Sequence, residues 1–262
     1  MLEHFRKMWA AGKEEGERPK NFVADWTATL IVLVFGTTTM LQAYIVPTPS
    51  MEKNILVGDH LLVDKMAYAD PGSWGRAVLP YRDVKRGDII VFLYPENIRV
   101  PYVKRVIGIP GDRIHLKERT VVRNGKCLVE EGYKHHLFAP SFDPYRDSFP
   151  QGEPNHLEPG GRLMLENHVK NGEVIVPPDH FFAMGDNRDN SADSRYWGFV
   201  PRENIIGKPL VIYWSFAVDG NYPTDWDLEH LFNVGKSFFS NTRWSRTLMV
   251  PRAQAAEEKE CH

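Results

Sequence analysis

Cysteine is scarce in this sequence: Cys127 and Cys261, 134 positions apart, are the only two in 262 residues. Neither stands at CxxC or metal-type spacing, and the second lies in the polar tail EEKECH, so no disulfide framework is expected. Surplus charge is missing as well. A net charge of −2 gives no electrostatic case for nucleic acid. The ten histidines include no H-E-x-x-H, which removes the common helical zinc motif. No serine sits in a G-x-S-x-G elbow, and no histidine stands in a recognisable motif beside a serine. No internal repeat is visible. Long uncharged runs are lacking too, with one exception.

That exception is Trp26 to Met51, which is 26 positions without a charged residue. Its apolar part, Ala28 to Val46, has 19 residues, close to the roughly 20 that a helix needs to cross hydrocarbon. Thr37, Thr38 and Thr39 weaken the pattern, although hydroxyls can bond back to the helix backbone. Pro47 is expected to end the helix, since it cannot continue the ladder. A buried core helix and a cleaved secretory leader are the alternatives. The long preceding region and the want of an Ala-x-Ala site after the run favour an uncleaved anchor. Arg6, Lys7, Lys13, Arg18 and Lys20 precede it, whereas only Lys53 and Lys65 fall in the next twenty residues. That bias predicts a cytoplasmic N-terminus and an external body.

With 42% hydrophobic and 25% charged residues, the remainder has the composition of a globular protein. It reads as β-structure. Gly-Asp turns precede apolar runs in VGDHLLVDKMAY, RGDIIVFLYP and PGDRIHL. TVVRNGKCLVEE is a hairpin signal, with Asn124-Gly125 suited to a type I′ turn. GEVIVP, HFFAMGD and KPLVIYWSF are further strands. Only DWDLEHLFNVGKSFF outside the anchor has a helical period. Residues 130–161 are polar and rich in proline, glycine and histidine, the composition of an exposed insertion, and the last dozen residues read as disordered.

Three stretches carry chemistry out of keeping with their surroundings. In Pro47-Thr48-Pro49-Ser50-Met51, flanking prolines stiffen the backbone and fix the direction of the Ser50 hydroxyl. A serine nucleophile also needs a base and a site for the oxyanion. In VPYVKRVIGIPGD, Lys104 and Arg105 are neighbours on a strand and so point to opposite faces, one expected toward solvent and the other against apolar packing. Arginine stays protonated, but a desolvated lysine can lose its proton near neutral pH. MGDNRDNSADSRYWGFVP reads as a side-chain-bonded loop in which Asp193 and Arg195 can pair. A calcium loop starting at Asp189 fails, because Ser194 and Val200 stand where glycine and glutamate are required.

In this order, behind one apolar run, the motifs PSMEKNILVGDHLLVDK, RGDIIVFLYP, YVKRVIGIPGD and GDNRDNSADSRYWGFVP resemble those of type I signal peptidases, the bacterial leader peptidases. The match extends from about Tyr44 to Phe216, interrupted by the insertion. The resemblance implies a mainly β fold: a signal-peptidase-type catalytic β-domain with an inserted smaller β and loop region, preceded by one N-terminal transmembrane helix. On that basis residues 1–25 are a cytoplasmic segment and 26–46 the anchor. Residues 47–114 with 179–218 form the catalytic domain, 115–178 the inserted hairpin and loop region, and 219–262 a C-terminal extension with a disordered tail.

The resemblance also implies a serine–lysine dyad, with Ser50 as nucleophile and neutral Lys104 as general base. Ser191 matches a serine that orients the lysine, and Asp193 and Arg195 match a supporting pair. The Ser50 N–H and the Thr48 hydroxyl, in place of a serine more usual there, are the implied oxyanion donors. Pro49 replaces a more usual glycine and restricts the backbone beside the nucleophile. Tyr44, Val46, Pro47, Met51, Ile55, Tyr102 and Val103 are the expected walls of shallow apolar pockets for small substrate residues. The implied substrates are signal peptides of exported preproteins, cut at the outer face of the bacterial cytoplasmic membrane, with membrane lipids as the other partner. No metal, nucleotide or other cofactor and no nucleic acid is implied. A non-catalytic membrane scaffold that binds signal peptides is the alternative.

Overall fold

The computed structural model describes residues 22–68, 82–134, 142–154, 156–217 and 238–261. The chain divides into two compact units, Met1–Met40 and Leu41–His262. In the first, helix α1 (Phe22–Phe35) continues into a π-helical turn, Gly36–Met40. The threonines bond back as anticipated: Thr37 Oγ1 donates to Leu33 O at 2.9 Å and Thr38 Oγ1 to Val34 O at 2.6 Å. Val23–Met40 is long and apolar enough to cross a membrane by length and composition. The helix ends at Met40, earlier than the expected limit at Val46. Residues 41–45 are instead drawn into a β-ladder, so Pro47 follows a strand and terminates no helix.

The second unit contains thirteen strands among the described residues. They are β1 (Leu41–Ile45), β2 (Asp59–Asp64), β3 (Ile89–Tyr94), β4 (Asn97–Gly108), β5 (Arg113–Lys117), β6 (Thr120–Arg123), β7 (Lys126–Val129), β8 (Val169–Lys170), β9 (Glu173–Ile175), β10 (His180–Met184), β11 (Val200–Pro201), β12 (Ile205–Ser215) and β13 (Glu257–Glu260). One sheet runs β1-β2-β12-β3-β4-β10-β11 and the other β13-β7-β6-β5-β9-β8. Each Gly-Asp run and each later strand candidate lies on one of these. The β6–β7 hairpin turns at Asn124 (φ 54°) and Gly125 (φ 81°), the left-handed pair that a type I′ turn requires.

Three departures matter for the site. First, residues 130–161 are not uniformly exposed. Tyr133, Tyr145 and Phe149 are buried, the last two in a core cluster with Ile114, Leu116 and Phe182. Second, helices α2 (Pro144–Asp147) and α3 (Pro159–His168) form within or beside this stretch. The glycines at the start of α3 obscure its period, yet they allow its close approach. A Cβ at Gly161 would lie 2.2 Å from the Tyr196 carbonyl oxygen. Third, the tail is ordered as β13, paired with β7 in the register Lys259↔Cys127, and Cys261 is disulfide-bonded to Cys127. Distance in sequence concealed this pairing, which the ladder enforces. The helix expected over DWDLEHLFNVGKSFF falls mostly outside the described residues.

Candidate active site

Ser50 belongs to a single 3₁₀ turn, Pro49–Met51, preceded by Thr48 in an extended conformation. Pro49 takes the first helical position, where a fixed φ is favourable and the missing N–H costs nothing. The residue expected to constrain the loop is thus the one that begins it. Lys104 lies on β4, opposite Ile90 of β3. Its Nζ donates to Ser50 Oγ at 2.7 Å and to Val103 O at 3.1 Å. Both residues are buried, with Ser50 6% and Lys104 4% exposed. Burial pushes the Lys104 amine down to about 8, against the opposing pull of Asp193 and Asp186.

The expectation that Lys104 or Arg105 faces solvent is overturned, since the sheet is covered on both sides and Arg105 is 0% exposed. Its charge is met by a bidentate pair with Asp186, Nε to Oδ1 at 2.7 Å and Nη2 to Oδ2 at 2.8 Å. The guanidinium also lies 4.0 Å from the centroid of Tyr133.

The loop that follows β10 holds the Ser50 turn from the other side. The Asn187 N–H donates to Ser50 O at 3.1 Å, and Asn187 Nδ2 donates to Pro49 O at 3.2 Å. Gly185 is wedged between them, for a Cβ there would lie 2.5 Å from Ser50 O and 2.3 Å from Ser191 Oγ. Asp193 and Arg195 form the expected pair, with Nε–Oδ1 and Nη2–Oδ2 both at 2.8 Å. Asp193 Oδ2 also accepts from the Gly185 N–H at 3.1 Å. Arg188 joins the loop to Glu130 through two bonds of 2.6 and 2.5 Å. Ser191 is buried in this loop, but its hydroxyl makes no hydrogen bond among the described residues, so the expected contact with Lys104 is absent.

The dyad opens on a mainly apolar groove of about 590 Å³. Tyr44, Val46, Pro47, Tyr102 and Val103 line it as expected, and Thr48 does as well. Met51 and Ile55 do not. Both are fully buried in the core with Leu61, Val63 and Ile212. Ile45, Leu61, Val91, Val100, Pro101, Asn190 and Ala192 are wall residues that sequence reading missed.

Residues 20–214 match the family model for signal peptidase, peptidase S26. The chain belongs to that family. Signal peptidase I of Aquifex aeolicus is 33% identical over 234 residues, covering 75% of this chain and 84% of that one. Signal peptidase I of Pseudomonas aeruginosa is 34% identical over 200 residues, covering 71% and 69%. A crystal structure of a signal peptidase I from Enterococcus faecalis V583 is 26% identical with a TM-score of 0.31, covering 48% of this chain and 97% of that one. That overlap is too low to carry a structural argument. Membership makes the chain a serine endopeptidase of the signal peptidase family. Its N-terminal apolar helix is compatible with membrane attachment.

Sequence reading did not foresee Asn187, Glu130, Arg188 or the Arg105–Asp186 pair as part of this site. A signal for Arg188 and Asp186 existed. The loop carries several arginines and aspartates close together, and such charges persist in a folded interior only when paired.

Proposed function

We propose that this chain removes N-terminal signal peptides from exported preproteins, with Ser50 as nucleophile and neutral Lys104 as general base. The observation that carries the reading is the 2.7 Å contact between the Lys104 amine and the Ser50 hydroxyl at an apolar groove. Lys104 takes the hydroxyl proton as Ser50 Oγ attacks the scissile carbonyl. The tetrahedral intermediate collapses to an ester on Ser50 while the lysine ammonium returns its proton to the leaving amine. Lys104 then deprotonates a water that hydrolyses the ester. The oxyanion faces the Ser50 N–H, which lies in the first turn of a helix, where N–H groups have no intrahelical acceptor. The Thr48 hydroxyl is the second donor. Asp193 and Arg195 hold the loop against the dyad, and Ser191 packs at Gly185 beside the Ser50 carbonyl oxygen. An extended substrate would pair with a strand edge and place small side chains in the groove.

α1 serves as the anchor in this reading, with lipid as its surroundings and Ser50 following ten residues after Met40 in sequence. The five-to-two excess of lysine and arginine before the span supports a cytoplasmic N-terminus. The Cys127–Cys261 bond supports an oxidising, extracytoplasmic compartment for the body. The catalytic domain would then act at the outer face of the cytoplasmic membrane. The test is incubation of the purified chain in detergent with a preprotein, followed by N-terminal sequencing of the product. A new mature N-terminus is expected; binding without cleavage would favour a scaffold.

Two further results are expected. Because only the neutral amine accepts a proton, kcat/KM should rise about tenfold per pH unit up to the Lys104 value of about 8 and be level above it. A flat profile below that value would exclude Lys104 as the base. Thr48→Val keeps the shape but removes the hydroxyl, and should lower kcat by about 10²-fold with little change in KM. An unaltered kcat would leave the second donor to another group.

A further inference from the structure

The last residues of the chain lie against the back of the site. A Cβ at Gly87 (φ +83°) would lie 2.5 Å from the backbone of Ala255 and from Gln254 O, so the tail rests directly on the turn before β3. A Cβ at Gly132 would lie 2.7 Å from Gln254 Oε1. Beyond this contact, Glu258 accepts from Arg123 Nη2 at 2.7 Å, β13 pairs with β7, and Cys261 is bonded to Cys127.

What this strap covers is Arg105. The guanidinium Nη1 donates to Gly87 O at 2.9 Å, and over longer distances to Arg252 O at 3.3 Å and Gln254 O at 3.4 Å. Two of its three carbonyl acceptors therefore come from the strap. The opposite edge of the same guanidinium grips Asp186, which also accepts from Asn54 Nδ2 at 3.2 Å. Asp186 precedes Asn187, the residue bonded to Ser50 O and Pro49 O. A continuous set of contacts thus runs from Cys261 to the nucleophile turn.

We propose that the C-terminal strap Arg252–Cys261, locked by the Cys127–Cys261 disulfide, is a positioning element of the active site. It holds Arg105 on Asp186 and thereby holds the loop on the Ser50 turn. Catalysis is its readout, so this inference rests on the peptidase reading. Among the described residues, no strap residue lines the groove, which separates its effect from substrate binding.

The test compares the oxidised full-length chain with the same chain treated with a dithiol reductant. The reductant becomes a cyclic disulfide as Cys127 and Cys261 become thiols. Reduction should lower kcat about tenfold, with KM changed less than about twofold, because small displacements at a distance weaken alignment. Reoxidation should restore it, and a Cys127→Ser/Cys261→Ser variant should match the reduced protein and ignore the reductant. Equal kcat in the two states, or a double variant with full kcat and only a lower Tm, would overturn the proposal and leave the bond a staple. Amide exchange gives a reading without turnover: the Gly185 and Asn187 N–H groups should exchange faster after reduction, and unchanged exchange also overturns it. If the oxidised protein fails to cleave any preprotein, the peptidase reading falls, while the exchange result still decides the strap.

Discussion

Ser50→Ala should abolish preprotein cleavage, and Lys104→Ala should do so to a similar extent, each lowering kcat/KM on the order of 10³-fold or more. The two side chains act in one proton transfer across 2.7 Å, so removal of either ends the same step. The double variant should consequently be little worse than either single one. Binding should largely survive, because Ser50 and Lys104 are only two of the residues that line the groove and its apolar walls come from the others. A signal peptide should therefore remain bound to Ser50→Ala without being cut, as measured by tryptophan or anisotropy titration beside the gel assay. Lys104→Arg is the sharper form of this test. It preserves a cation but supplies no base near neutral pH, so activity in that variant would contradict the proposed role of the amine.

Much of this site was legible because its chemistry depends on local composition. A serine between Pro49 and Met51, a lysine among apolar strand residues and a loop of aspartates and arginines are each readable without neighbours. Their order behind an apolar run carries the family resemblance. What could not be read depends on pairing across the chain. Glu130 looked like one more polar residue of an insertion, yet it is buried against Arg188, 58 positions away. Cys127 and Cys261 looked unrelated because nothing in the intervening sequence reveals the β7–β13 ladder.

The misassigned pocket residues have a related cause. Met51 and Ile55 adjoin the nucleophile in sequence, but the Ile55 N–H bonds back to Met51 O at 2.9 Å, and both side chains are turned into the core. Proximity along the chain gave no information about face. Pro49 illustrates the opposite case. Its rigidity is adverse in an irregular loop and favourable in a helical turn, since a fixed φ is harmful or helpful only relative to a particular backbone conformation.

The largest expected loss of stability comes from Asp193→Ala. Arg195 is 1% exposed and Asp193 0%, so neither can recover solvation when its partner is removed. Burial alone would raise the Asp193 carboxyl, but the Arg195 guanidinium and the Gly185 N–H more than offset it and hold it below the usual carboxylate range. A folded pKa below the unfolded one means that the carboxylate stabilises the fold above the unfolded value. That contribution is lost as pH falls through the lowered folded value. Asp193→Ala should cost about 3–5 kcal/mol in unfolding, because it strands a buried cation. Asp193→Asn should cost less, for its single amide oxygen can still accept from one of the two N–H groups the carboxylate serves, that of Gly185 or the N-cap bond from Arg195 at the start of the short helix Ser194–Trp197. Replacing both partners with apolar residues of similar volume should be milder than the sum of the single losses. Urea unfolding of the parent chain, the single variants at Asp193 and Arg195 and the double variant decides this, and a loss below about 1 kcal/mol for Asp193→Ala would show that the pair does not hold the loop. The same variant should also lose activity even where it remains folded. The Gly185 N–H would have no carboxylate acceptor, and the backbone that it anchors is the one through which Asn187 holds the carbonyl of Ser50.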